Sequence, residues 1–148
     1  LAKKYALAPY TMFIGSGALW GETILFSMCI LEEMQWKRTR YITSADFFHG
    51  TLELVEPGVP VFLFMGEDEN RKLDERVRAF LTRGVTGDTD INIIDTAEFA
   101  IPGLDDEFRV IVSPWILTVL VTDRLARYYE TVTKHNLKYR RYYHQFDY

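Results

Sequence analysis

Val59 to Met65 reads VPVFLFM, a run with no charge and no apolar–polar alternation. A strand covered on one face alternates; an unbroken apolar run must be covered on both, as in a parallel sheet between two layers of helix. Pro60 stands at the start of the run, where a missing N–H does least harm, and Gly66 ends it. Tyr10 to Ile14 (YTMFI) repeats the pattern and enters Gly15-Ser16-Gly17; Thr39 to Thr43 (TRYIT) and Ile91 to Ile94 are further strands. Helical stretches separate them. Ala18 to Gln35 is apolar almost all round. Glu69 to Arg83 turns Leu73, Val77, Phe80 and Leu81 inward and Asp74, Glu75, Arg76 and Arg78 toward water. Ser113-Pro114 opens a second long helix reaching about Thr131. Leu1 to Pro9 reads as an approach segment, Gly84 to Asp90 as a polar turn and Thr96 to Phe108 as irregular, acidic chain. The alternation predicts an α/β chain, a three-layer αβα sandwich around a mostly parallel sheet.

At 148 residues this is a single domain, 1–148, with a basic, aromatic arm over 134–148 (KHNLKYRRYYHQFDY). The net charge of −4 argues against a nucleic-acid partner, and no apolar run approaches the roughly 18 residues of a membrane span. The single Cys29 has no internal disulfide partner, which fits a reducing, cytoplasmic setting, and its apolar neighbours make it an inert core thiol. The two apolar helices offer more hydrophobic surface than one sheet face covers, so a homodimer or a companion domain is expected. The chain starts at Leu1 without a Met, as an excised piece of a longer protein would.

In a parallel sheet, ligands sit beyond the carboxyl ends of the strands, where Gly15 to Gly17 and Thr43 to His49 should converge. Gly15, Ser16 and Gly17 could let backbone approach a phosphate or sugar, although a GSG after a strand is equally an ordinary tight turn. A dinucleotide fingerprint would need a third Gly where Trp20 stands. Ser44 or Asp46 could cap a short helix through Phe47, Phe48, Leu52 and Leu54. Glu33 ends a stripe with Glu22, Phe26 and Cys29, and Glu32 ends one with Leu25 and Met28; periodicity does not choose between the two carboxylates. His49, between Phe48 and Gly50, could move a proton or simply pack. His135 and His144 look exposed. The three His show no metal spacing and no Cys pair exists, so no metal is expected. Lys134, Lys138, Arg140 and Arg141 could bind an anion or stay solvated.

The order G-x-G, a long apolar helix ending in EMQW, a short strand, then SADFFHGTLE, LELVEPGVP and a terminal RRYY resembles the second half of a sugar isomerase (SIS) fold protein. It is similar to the isomerase domain of glucosamine-6-phosphate synthase, with the same Glu-to-His separation, and more so to the deglycases of phosphorylated fructosyl amino acids. The resemblance runs from about Tyr10 to Tyr148. It implies that Glu33, not Glu32, is the proton-moving carboxylate, and that His49 assists ring opening or protonates substrate from a loop lent across a dimer interface. It implies a hydrolase that splits a 6-phosphofructosyl amino acid (fructose-aspartate or fructoselysine type) with water into glucose 6-phosphate and the amino acid, without a cofactor. An aldose–ketose isomerase, an aminotransferring isomerase domain or a non-catalytic sugar-phosphate sensor are the alternatives. Gly15, Ser16, Gly17, Ser44 and Arg141 are the expected substrate contacts. The family's main phosphate loop lies in a first SIS half, so this chain is expected to be the C-terminal half of a two-SIS protein and inactive alone. The synthase's functional tail Lys has no match in register, and no role is transferred to Lys138.

Overall fold

The computed structural model describes residues 1–84 and 86–148; the expected Gly84–Asp90 turn contains Val85, which lies outside the described residues. Four strands, β1 (Thr11–Gly15), β2 (Thr39–Ile42), β3 (Val61–Met65) and β4 (Ile91–Asp95), form an all-parallel sheet in the order β2-β1-β3-β4. Every residue of β1 and β3 is buried. The pleat divides them by parity. Phe13, Phe62 and Phe64 enter one core, and Met12, Ile14, Val61, Leu63 and Met65 the other. Both parities are apolar, which is why the sequence shows no alternation.

On the first face lie α1 (Ala2–Tyr5) and two long helices, α2 over 17–34 and α4 over 109–133. Phe26, Ile30 and Leu31 from α2 meet Leu117, Val121, Leu125 and Tyr129 from α4 above the stacked rings of Phe13 and Phe62, 5.1 Å apart. The hydroxyls of Thr118 and Thr122 donate to the Glu22 carboxylate at 2.9 and 3.0 Å, tying α4 to α2. Each helix is wound with π spacing where it passes the other, over Leu25–Met34 and Thr118–Leu125. On the second face, α3 (Arg71–Leu81) and the 3-10 turns Phe47–His49 and Thr51–Leu54 cover the sheet through Val77, Leu81 and Phe47.

The three expected layers are present, and some local expectations are corrected. The Leu1–Pro9 approach contains α1, whose Ala2 and Tyr5 are buried. Ser113-Pro114 does not open α4, which begins at Arg109. Pro114 deprives the Val110 carbonyl of its helical donor, and the Ser113 hydroxyl donates to that carbonyl instead at 3.3 Å. Asp74, expected to face water, is 1% exposed.

Candidate active site

Because the sheet is parallel, each strand must leave at the carboxyl edge and return to the amino edge. β1 and β2 start in register, Thr11 opposite Thr39, so α2 carries the chain back from Gly15 to the amino edge. Glu33, at the end of α2, therefore lies at the amino edge. His49, after β2, lies at the carboxyl edge.

At the carboxyl edge, Gly15 to Gly17 and Ser44 do converge. The Ser44 backbone N–H donates to Ser16 Oγ at 2.8 Å. The Ser44 hydroxyl donates to Asp74 Oδ1 at 2.5 Å, and Asp74 Oδ2 accepts from the Gly66 N–H at 3.2 Å. Asp74 thus ties together the exits of β2 and β3. Burial pushes its carboxyl above the ordinary carboxylate range, against the opposing pull of these two hydrogen bonds. Asp68 accepts from the Ala18 N–H at 2.6 Å and lies against Gly17, whose φ of 54° and contact with that carboxylate leave no room for a Cβ. At the end of β4, Arg71 grips Asp95 with two nitrogens at 2.9 and 2.6 Å, which holds the Asp95 carboxyl below its ordinary value. The Ser16 and Ser44 hydroxyls are thus engaged within the edge itself.

The His49 loop is built from its own polar groups. Thr43 Oγ1 donates to Asp46 Oδ2 at 2.7 Å and accepts from the Asp46 N–H at 3.1 Å, and the His49 N–H donates to the Asp46 carbonyl at 2.9 Å. Asp46 occupies the cap position of the first turn without a capping side-chain bond, and Gly50, at φ 136°, breaks the expected short helix in two. Phe47 and Phe48 pack edge-on against Phe80 and pin the turn, leaving His49 exposed to solvent.

The amino edge holds Glu33 in a cleft of about 460 Å3, lined by Glu32, Glu33, Trp36, Lys37, Arg38 and Arg140 to Tyr143. The arm closes one wall. Arg140 Nε meets Glu33 Oε1 at 2.8 Å, with the two side chains 18% and 29% exposed. The Arg141 guanidinium lies over the Trp36 ring, 4.4 Å from its centroid. Trp36 adopts φ 53°, which ends α2 and turns the ring toward the arm. His135, expected to be exposed, packs edge-on to Trp36 and Tyr139, and its carbonyl accepts from Gln35 Nε2 at 2.6 Å. Glu32 is engaged elsewhere, accepting from Thr39 Oγ1 at 2.6 Å. Lys37 donates to the Ala6 and Ala8 carbonyls, and burial pulls its ammonium below the ordinary lysine value. Burial, then the charge of Glu33, pushes the half-buried Cys29 thiol up, so it stays protonated near neutral pH.

The structure therefore sorts the expected site residues into two groups. Gly15, Ser16, Gly17, Ser44 and His49 share the carboxyl edge; Glu33 and Arg141 share the amino-edge cleft. Arg140 is the partner that sequence reasoning did not assign to Glu33. Its only sequence signal is membership of a basic tail, because its partner is distant in sequence. Among the described residues, no group of three or more His, Cys, Asp or Glu is placed to hold a metal, and no helix is long and apolar enough to cross a membrane.

No family model matches the chain. Fructosamine deglycase FrlB of Bacillus subtilis is 32% identical to it over 95% of this chain and 43% of its own length. Fructoselysine 6-phosphate deglycase of Escherichia coli is 34% identical over 76% of this chain and 31% of its own length. A solved Bacillus subtilis structure described as a phosphosugar isomerase superposes with a TM-score of 0.88 at 28% identity, over 99% of this chain and 44% of that one. The chain thus spans less than half the length of the relatives it matches. Across that span it is a homologue of the fructosamine and fructoselysine 6-phosphate deglycases, an enzyme family, and it has the sugar isomerase (SIS) fold.

Proposed function

We propose that the protein containing this chain is a hydrolase that splits a 6-phosphofructosyl amino acid with water into glucose 6-phosphate and the free amino acid. The observation that carries this is Glu33, held in a cation-lined cleft of a chain whose relatives are named deglycases. In the open-chain ketoamine, Glu33 takes the proton from C1. The resulting 1,2-enaminol is reprotonated at C2 as the nitrogen gives up its proton, which moves the double bond to C1 and nitrogen. Water adds to that imine, and the amino acid leaves as an amine. His49 serves ring opening or protonation, and general acid–base groups of this kind contribute roughly 10² to 10⁴-fold each. Within one copy the two groups stand at opposite edges of the sheet, so His49 acts from a second copy in a homodimer, with the active site near the interface. Phosphate is held by a preceding SIS half, this chain being the C-terminal half, and by Gly15 to Gly17 and Ser44 of an adjoining copy.

Glu33→Gln and His49→Ala in the full-length protein, assayed for glucose 6-phosphate release, test the assignment. Loss of turnover is expected in both, and wild-type turnover in either refutes that residue's role. The likeness to a protein described as a phosphosugar isomerase supports a second reading, aldose–ketose isomerisation through the same Glu33. Release of a free amino acid from the phosphorylated fructosyl substrate separates the two.

A further inference from the structure

The arm places two adjacent arginines in the Glu33 cleft and uses them differently. Arg140 is consumed by Glu33, and its Nη1 donates to the carbonyls of Leu137 and Tyr139 at 2.7 and 2.9 Å. Arg141 has no ion pair among the described residues; its guanidinium is laid on the Trp36 ring instead. Stacking engages the face of a guanidinium and leaves its N–H edge available, and that edge is the fork that matches a carboxylate. The cleft lining carries four cations, Lys37, Arg38, Arg140 and Arg141, against two carboxylates, in a chain of net charge −4. Its potential is therefore opposite in sign to that of the molecule as a whole, and it draws an anion in.

We infer that Arg141, on its Trp36 platform, is a subsite for the carboxylate of the amino acid that departs. Two features favour a carboxylate over the substrate's phosphate. First, the cleft lies at the carboxyl-terminal end of α2, whose carbonyl oxygens oppose a dianionic phosphate more than a singly charged carboxylate. Second, the platform, Trp36, lies just past the end of α2 and lines the same cleft as Glu33. In a fructosyl amino acid joined through its α-amine, as opposed to the ε-amine of lysine, the α-carboxylate is close to C1, through the amine nitrogen and Cα, whereas the phosphate ester is at the far end on C6. A carboxylate seated on Arg141 therefore leaves C1 beside Glu33. This rests on the deglycase reading and deepens it: the site favours an amino acid joined to the sugar through its α-amine over a simple amine.

The test compares two substrates that differ only in that group, 6-phosphofructosyl-glycine and 6-phosphofructosyl-methylamine, in the full-length protein. The quantity read is the ratio of kcat/KM with the carboxylate to that without it. Arg141→Gln is expected to lower the ratio on the order of 10- to 100-fold, the range for a charge-assisted pair. Trp36→Leu is expected to lower it in the same direction by less. Because Arg141 is exposed, the melting temperature should hold. Calorimetric Kd values for the two compounds, taken in the Glu33→Gln variant, should show the same ratio without turnover. A ratio that Arg141→Gln leaves unaltered, whether both activities fall together or neither does, overturns the subsite. Persistent turnover in Glu33→Gln would instead count against the proposed chemistry, and the Kd ratio would still decide the role of Arg141.

Discussion

Arg140 Nε and Glu33 Oε1, far from each other in sequence, stand 2.8 Å apart. The contact makes the docking of the arm and the orientation of the carboxylate a single event. Arg140→Ala in the full-length protein is expected to lower kcat roughly 10- to 100-fold through misplacement of Glu33, with a smaller effect on KM. Arg140→Lys should recover part of the loss. Because the pair is partly solvated, its removal should cost only about 1 kcal/mol or less of stability in urea unfolding. A large fall in stability with unchanged kcat would show the contact to be purely structural.

A carboxylate at one end of a single sheet and an imidazole at the other predict complementation between inactive variants. Equal amounts of Glu33→Gln and His49→Ala subunits, unfolded and refolded together, should regain about a quarter of wild-type activity, since half of the dimers would carry one intact site. No recovery on mixing, with each variant dimeric and folded, would exclude a site shared between copies.

Asp74 gives a pH signature that is unusual for a carboxylate. Its folded value is raised by burial, so folding takes up a proton. Its contribution to stability therefore falls as pH rises from the ordinary carboxylate range toward the raised value, and is level above it. Asp74→Asn keeps an acceptor for the Gly66 N–H and should flatten that slope. Asp74→Ala strands the Gly66 N–H and the Ser44 hydroxyl and should cost about 2–3 kcal/mol. Urea unfolding between pH 4 and 8 reads both.

Asp95 should behave in the opposite sense. Arg71 depresses its folded value, so its contribution is present above the unfolded value of about 3.9 and is lost as pH falls through the depressed one. Arg71→Ala should cost about 2 kcal/mol at neutral pH. This is less than for a fully buried pair, because Arg71 is 28% exposed while Asp95 is 5% exposed. An acid-unfolding midpoint that does not rise in this variant would count against the pairing.

The sheet was legible because β1 and β3 are apolar on both faces, a pattern that solvent-facing strands do not produce. The convergence of Gly15–Gly17 with Ser44 followed from strand direction alone. What was hidden depends on partners distant in sequence. Asp74 looks like any solvated helix carboxylate until Ser44 and Gly66 are brought to it. Pro114 looks like a helix start because the Ser113 hydroxyl that serves the orphaned Val110 carbonyl is invisible as a pattern. Glu33 was distinguished from Glu32 by resemblance rather than by period. The structure adds a physical difference, since Glu32 is engaged by Thr39 while Glu33 faces Arg140 in the cleft. The arm was legible only as charge and aromaticity, because its docking depends on Trp36, which leaves the helix at a positive φ.

Glu33 and His49 are separated by the full height of the β-layer, and no hinge that keeps the strands paired can bring them together. Chemistry that used both groups would therefore scale as the square of protein concentration at high dilution. Specific activity would fade there even though every polypeptide remained folded.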